Sequence, residues 1–355
     1  MRGAFFQSYD SRFLTLDSCL PGTEIMMTKR SLNKPHCRTA FTLIELLIVI
    51  AIIGILIGFL VPAVAGAMKR ARVVSVKAEI SQLETAIGKF RSVYNMDPPS
   101  SITLYETAAG WNLAAAVNHR ATIRQLWPQF DFTYSSYASN QRDFNGDGSY
   151  TSVTLLRGEC LVFFLGGINS TNAPGVANIG ACTGFSKNPV DPFFRGGNRE
   201  PFFFEFLPAR FTDLNNNGFP EYRDPLPSQT TPYLYYSGYD GTAYQSTEFF
   251  ASSSSDPDQT GPSDLTRTGL SEPYRTGTAL AAPLWKPNSY QIISPGYDRA
   301  YGFGGAYVAS GTDRLAFVAT VYTGATPTAL VPPTDDQRKR EADNITNFSA
   351  GELQP

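Results

Sequence analysis

The chain has 355 residues, is 42% hydrophobic and 17% charged, and carries a formal net charge of −2. Aromatic residues at 13% exclude wholesale disorder, and the lack of a basic excess argues against nucleic-acid binding. Two histidines, His36 and His119, leave little for histidine-based metal catalysis, and a mean hydropathy of −0.17 excludes a polytopic membrane protein.

Residues 1–40 precede the first long apolar run. Residues 1–25 show no pattern, whereas a start at Met26 or Met27 leaves a short leader whose charges, Lys29, Arg30, Lys34 and Arg38, are all basic. The expected start therefore lies downstream of the written one. Residues 41–67 follow as a run of 27 in which Glu45 is the only ionisable side chain. As a helix this run spans roughly 40 Å, enough to cross a hydrocarbon core of about 30 Å. It is too long for an ordinary secretory signal. An ionisable residue inside such a segment is costly, which marks Glu45 as functional.

The segment Arg38-Thr39-Ala40-Phe41-Thr42-Leu43-Ile44-Glu45, with the apolar run behind it, resembles the signal of type IV pilins and type II secretion pseudopilins. The resemblance implies cleavage between Ala40 and Phe41 by a prepilin peptidase on the cytoplasmic face, and N-methylation of Phe41. It makes Glu45 the family's assembly glutamate, which pairs with the amino terminus of a neighbouring subunit and sets register. Ala40 departs from the usual Gly before the cut, and slower processing is the expected consequence. Pro62 falls where the family has a helix-bending proline, which membrane helices tolerate.

Beyond the apolar run, Val73, Val76, Ile80, Leu83, Ile87, Phe90 and Tyr94 recur at steps of three and four, one face of a helix. Lys77, Glu79, Glu84, Lys89 and Arg91 fall on other faces. Asp97-Pro98-Pro99 is the expected end, giving a helix of about 55 residues, roughly 80 Å long. The sequence thus divides into a leader (1–40), an assembly helix (41–97) and an exported globular head (98–355). In the head, residues 232–236 and 289–293 read as strands, residues 155–165 as either helix or buried strand, and residues 251–280 as a long polar loop.

Removing residues 1–40 takes away six basic and three acidic residues, leaving a mature charge of about −5, together with Cys19 and Cys37. Cys160 and Cys182 remain, either as a disulfide contributing roughly 3 kcal/mol or as two buried thiols. Asp213, Asn215 and Asn217, with Gly218, Phe219 for its carbonyl, Glu221 and Asp224, follow a calcium-loop pattern that has Asp instead of Glu in twelfth place. Asp143, Asn145 and Asp147, with Gly148, match its first half, but the twelfth residue is Thr154. Both are also compatible with ordinary Asx turns. The C-terminal Asp343-Asn344-Ile345-Thr346-Asn347-Phe348 resembles the ending of major pseudopilins, as does Ser294-Pro295-Gly296-Tyr297-Asp298. No catalytic constellation is present, and His119 has no nucleophile in its sequence context.

The expected fold class is α+β, pilin-like: a long N-terminal helix, half membrane and half amphipathic, on a head with a small antiparallel sheet and long loops. The expected function is structural and non-enzymatic, that of a type II secretion pseudopilin assembled into a helical filament, with calcium as a structural ion. Implied partners are copies of itself, other pseudopilins, the prepilin peptidase, and an inner-membrane platform with its ATPase, but no nucleic acid. The resemblance implies a single pass of the bacterial inner membrane, with the head in the periplasm or at the cell surface. A surface pilin or minor adhesive pilin, and a membrane-tethered exported enzyme, stay open.

Overall fold

The computed structural model describes residues 42–170, 179–238, 273–277, 282–302, 304–310, 314–315, 318–323, 326–331 and 339–354. Ala40, Phe41, the leader and most of residues 251–280 lie outside them. The chain divides into two units between Leu60 and Val61, inside its first helix.

That helix, α1 (Leu43–Tyr94), carries Pro62 within it. In the first unit its apolar side chains are bare: Leu43 is 81% exposed, Ile50 59% and Leu60 60%. An 18-residue window reaches a mean hydropathy of 3.1 with none of it buried. Such a surface is unstable in water and suits lipid or other apolar helices.

In the second unit the helix changes character. Val76, Ile80, Leu83, Ala86, Ile87 and Phe90 are buried, and Val73 and Tyr94 pack at the margin of the same core. The apolar face read from the sequence is therefore the docking face, extended by Ala86. The helix stops at Tyr94, three residues before the expected Asp97-Pro98. Asn95 turns to φ 55° while its N–H still reaches the Arg91 carbonyl at 2.8 Å. Asparagine tolerates this left-handed geometry and so ends helices.

The rest of the head is α+β, built on small antiparallel pairings. β1 (Ser101–Leu104) pairs with β2 (Val153–Leu156), with α2 (Val117–Leu126) between them in sequence. α3 (Arg157–Gly166) follows β2 directly, so residues 155–165 prove to be a strand end and then a buried helix. β3 (Phe211–Thr212) pairs with β4 (Glu221–Tyr222). β5 (Leu234–Ser237), β6 (Tyr290–Ser294) and β9 (Ile345–Thr346) form a three-stranded sheet in the order β5-β6-β9. β7 (Val318–Thr323) and β8 (Thr326–Val331) pair as a separate hairpin.

The three-stranded sheet is covered on both faces. Tyr233, Tyr235, Tyr290, Ile292 and Ile345 join the core that receives α1, while Leu234, Tyr236 and Ile293 pack with Tyr274, Tyr301 and Tyr307 on the opposite face. Alternation along a strand sends successive side chains to opposite faces, and here both faces are apolar. The high aromatic content is thereby explained: Trp127, Phe163, Phe185 and Phe193 contact one another mostly edge to face, with centroids 4.8 to 6.1 Å apart.

Candidate functional sites

At the start of α1, Thr42 and Glu45 form a reciprocal cap. The Thr42 N–H donates to Glu45 Oε2 (2.8 Å), and the Glu45 N–H donates to Thr42 Oγ1 (3.3 Å). The hydroxyl also donates back to Oε2 at 2.7 Å. This is a capping box, and it satisfies two N–H groups that would otherwise face an apolar environment. Its sequence signal is Thr-x-x-Glu before an apolar run. The arrangement holds the Glu45 carboxylate at the positive end of the helix dipole, against the N–H of Thr42, the residue next to Phe41, where cleavage after Ala40 would create an amino terminus.

Charged residues on the flanks of α1 tie its second half to the head. Lys77 Nζ donates to the Thr346 and Ser349 carbonyls, both at 2.6 Å. Glu84 accepts from Asn347 Nδ2 at 3.2 Å. Asn347 also takes the Ile292 N–H, so the C-terminal segment links sheet and helix. Asn344 is buried and donates to Tyr274 Oη and the Tyr301 carbonyl. Asp343 accepts the N–H groups of Tyr297 and Asp298, which brings together the two C-terminal segments compared above. Burial and neighbouring Asp343 push the Asp298 carboxyl up to about 7.

The loop of residues 213–218 is a tight coil of backbone-to-carboxylate bonds. Asp213 accepts from the N–H groups of Asn217 (3.1 Å) and Gly218 (2.9 Å), and Gly218 has φ +86°. Asn215 and Asn217 both donate to Glu159 Oε1, at 2.9 and 2.6 Å. Glu159 comes from the first turn of α3, where its Oε2 accepts the Leu156 N–H. Asp224, expected as a ligand here, has other partners. It accepts from Ser294 Oγ (2.5 Å), the Leu226 N–H (2.9 Å) and Gln229 Nε2 (3.0 Å), so the twelfth residue braces the turn after β6. Glu221 lies within β4, its side chain buried beside Gly158 at the start of α3. The Phe219 ring enters the core, 5.7 Å from Phe163.

The loop of residues 143–149 has the same construction. Asp143 accepts from Gly146 (2.5 Å) and Gly148 (3.0 Å), Asn145 Oδ1 from the Asp147 N–H (3.2 Å), and Asp147 from the Ser149 N–H (2.6 Å). The two loops abut: a Cβ on Gly218 would meet Asn145 at 3.1 Å. Thr154 is committed to the β1–β2 ladder opposite Thr103. Glu106, which the sequence did not single out, bonds this loop from another segment. No sequence signal links Glu106 or Glu159 to these loops, because strand pairing and helix placement bring them there. Among the described residues no three His, Cys, Asp or Glu side chains already converge around one point as a metal would require.

Cys160 and Cys182 are free and buried, which corrects the disulfide expectation. Cys160 donates to the Leu155 carbonyl (3.3 Å) within its own strand–helix junction, whereas Cys182 packs against Gly166 at the far end of α3. His119 Nδ1 accepts the Thr103 N–H at 3.1 Å, so the imidazole braces β1.

Residues 36–61 match the family model described as the prokaryotic N-terminal methylation motif. No curated protein and no solved structure matches the chain. The chain therefore carries, ahead of a long apolar helix and an α+β head, the N-terminal signal of type IV pilin-like prepilin-peptidase substrates.

Proposed function

We propose that the protein is a structural subunit of a type IV pilin-like filament, most similar in role to a type II secretion pseudopilin. In this reading a prepilin peptidase cuts between Ala40 and Phe41 and Phe41 is methylated. The bare apolar helix then leaves the lipid and packs among its copies. Glu45 neutralises the new amino terminus of a neighbour, relieving a charge that costs roughly 2–3 kcal/mol in an apolar surrounding. An inner-membrane platform and ATPase supply the work, other pseudopilins share the filament, and the head faces the periplasm. The role is non-enzymatic.

The observation that carries this reading is the position of Glu45 within the matched motif, capping a helix whose next fifteen residues are exposed and apolar. Mass analysis of the membrane-fraction protein, co-expressed with a prepilin peptidase, is expected to find N-methyl-Phe41 at the terminus. An intact leader would overturn the processing step. Glu45→Ala is expected to be processed and folded but absent from sheared or cross-linked filaments; normal function of the variant would instead favour a membrane-tethered exported enzyme. Gene deletion separates the finer roles. Loss of secreted proteins fits a pseudopilin, and loss of surface fibres or adhesion fits a pilin.

A further inference from the structure

We infer that the cavity between the start of the docked half of α1 and the C-terminal segment binds the headgroup of an anionic phospholipid, and so holds the unassembled subunit at the bilayer surface. The inference rests on the reading of residues 41–67 as a membrane-spanning run. The cavity has a volume of about 720 Å³. Its cationic lining is Lys69 and Arg70, from α1, and Arg314, from a distant segment. One carboxylate, Glu352, opposes these three cations, so the lining carries a net charge of about +2. Glu352 is already committed, because it pairs with Lys69 at 2.9 Å. Arg70 and Arg314 are the cations left over, and among the described residues neither guanidinium has an acceptor or an ion-pair partner.

The position along α1 points to a lipid. Lys69 and Arg70 follow the apolar run by two and three positions. Along a helix that is roughly 3 to 5 Å, which falls in the headgroup layer of about 5–8 Å outside the hydrocarbon core. The positive-inside bias disfavours basic residues at the exported end of a span, yet Lys69, Arg70 and Arg72 all stand there. An anionic headgroup on that side offsets the cost.

The lining suits a phospholipid better than a free anion. A guanidinium meets two phosphate oxygens at once, and Arg70 and Arg314 supply two such forks from two segments. Beside them Val73, Val74 and Phe348 line the same cavity, and Val74 is 65% exposed. Apolar area next to cations matches the glycerol and upper acyl carbons that adjoin a headgroup phosphate, whereas a free phosphate leaves that area bare to water. The far wall is held in place without a ligand. The Arg314 carbonyl accepts the Val308 N–H at 2.9 Å, Lys77 Nζ donates to the Ser349 carbonyl at 2.6 Å, and the Phe348 ring stacks on Trp285 with centroids 5.4 Å apart.

Native mass spectrometry of the full-length, detergent-solubilised protein, offered phosphatidylglycerol and phosphatidylcholine in equal amounts, tests this. Phosphatidylglycerol is expected to be retained in preference, and Arg70→Gln and Arg314→Gln each to lower its retention about fivefold. Lys89→Gln removes an exposed cation further along the same helix and should leave retention unchanged. Arg314 is the decisive position, because a general attraction of juxtamembrane charge to anionic lipid would not depend on it. Equal retention of the two lipids, or no loss in Arg314→Gln, overturns the inference. Full displacement of the lipid by an equal concentration of glycerol phosphate also overturns it, and would assign the cavity to a free phosphate ester. Lost filaments with unchanged retention in both variants would assign the cavity to a second copy of the chain instead. The measurement is made on the unassembled subunit, so failed processing or assembly would sink the proposed function and leave this result standing. A failed membrane reading shows separately, as protein recovered in the soluble fraction.

Discussion

Arg210 grips Glu79 with both ends of its guanidinium, Nη1 to Oε1 at 2.7 Å and Nη2 to Oε2 at 2.6 Å. Tyr233 Oη adds a third donor to the same carboxylate at 2.8 Å, and the guanidinium stacks 4.2 Å over the Tyr222 ring. The pair is largely shielded, with side chains 19% and 13% exposed. It fixes the register of α1 against β3 and β5, because a planar fork fits a carboxylate in one orientation only.

Arg210→Ala is expected to destabilise the head by roughly 3 kcal/mol, because it leaves a shielded carboxylate short of its two strongest donors. Arg210→Lys should restore only part of this, since an ammonium cannot make the bidentate contact. Urea unfolding of the solubilised protein measures both. Equal stabilities for wild type and Arg210→Ala would show that apolar packing alone docks the helix.

Stability should also fall in mild acid through His119. Burial holds its pKa below the ordinary value, and Nδ1 must remain unprotonated to accept the Thr103 N–H. The unfolded chain therefore takes up the proton first as pH drops through about 6.5. The contribution is complete above that pH and is lost progressively below it. Thermal unfolding between pH 7.5 and pH 5 should show a larger decrease for wild type than for His119→Gln; parallel decreases would remove His119 from the explanation.

The two head thiols should be inert in the folded protein. Burial pushes the Cys182 thiol up to about 12, and both residues are buried. The thiolate is the reacting form, so labelling by a thiol reagent should be negligible until denaturant is added. Protein processed after Ala40 should then yield two thiols, because Cys19 and Cys37 leave with the leader. Reducing agent should not change the melting temperature. A drop on reduction would reinstate the disulfide.

Patterns local in the chain were legible in advance. The step-of-three-and-four spacing from Val73 to Tyr94 marked the docking face, and the strands at Tyr235 and Ile292 stood out between turn signals. Pro98 and Pro99 mark a stop that lies past the true helix end at Tyr94, because the left-handed Asn95 ends the helix first. Charged residues on the flanks of α1, off the docking face by their spacing, nonetheless bond to the head. Periodicity says which side is apolar but not which polar groups lie within reach of a long side chain.

By itself, the sequence determined the processing signal, the membrane-length apolar run, Glu45 and the Asp/Asn loops, because each depends on residues adjacent or regularly spaced along the chain. Only the tertiary structure decided which distant residues meet. It brought Arg210 to Glu79 across 131 positions and Glu106 to Phe144 across 38, turned Asp224 to Ser294, and set Cys160 and Cys182 apart as free thiols. Strand register and helix docking fix such pairings, and both are set by packing over the whole head.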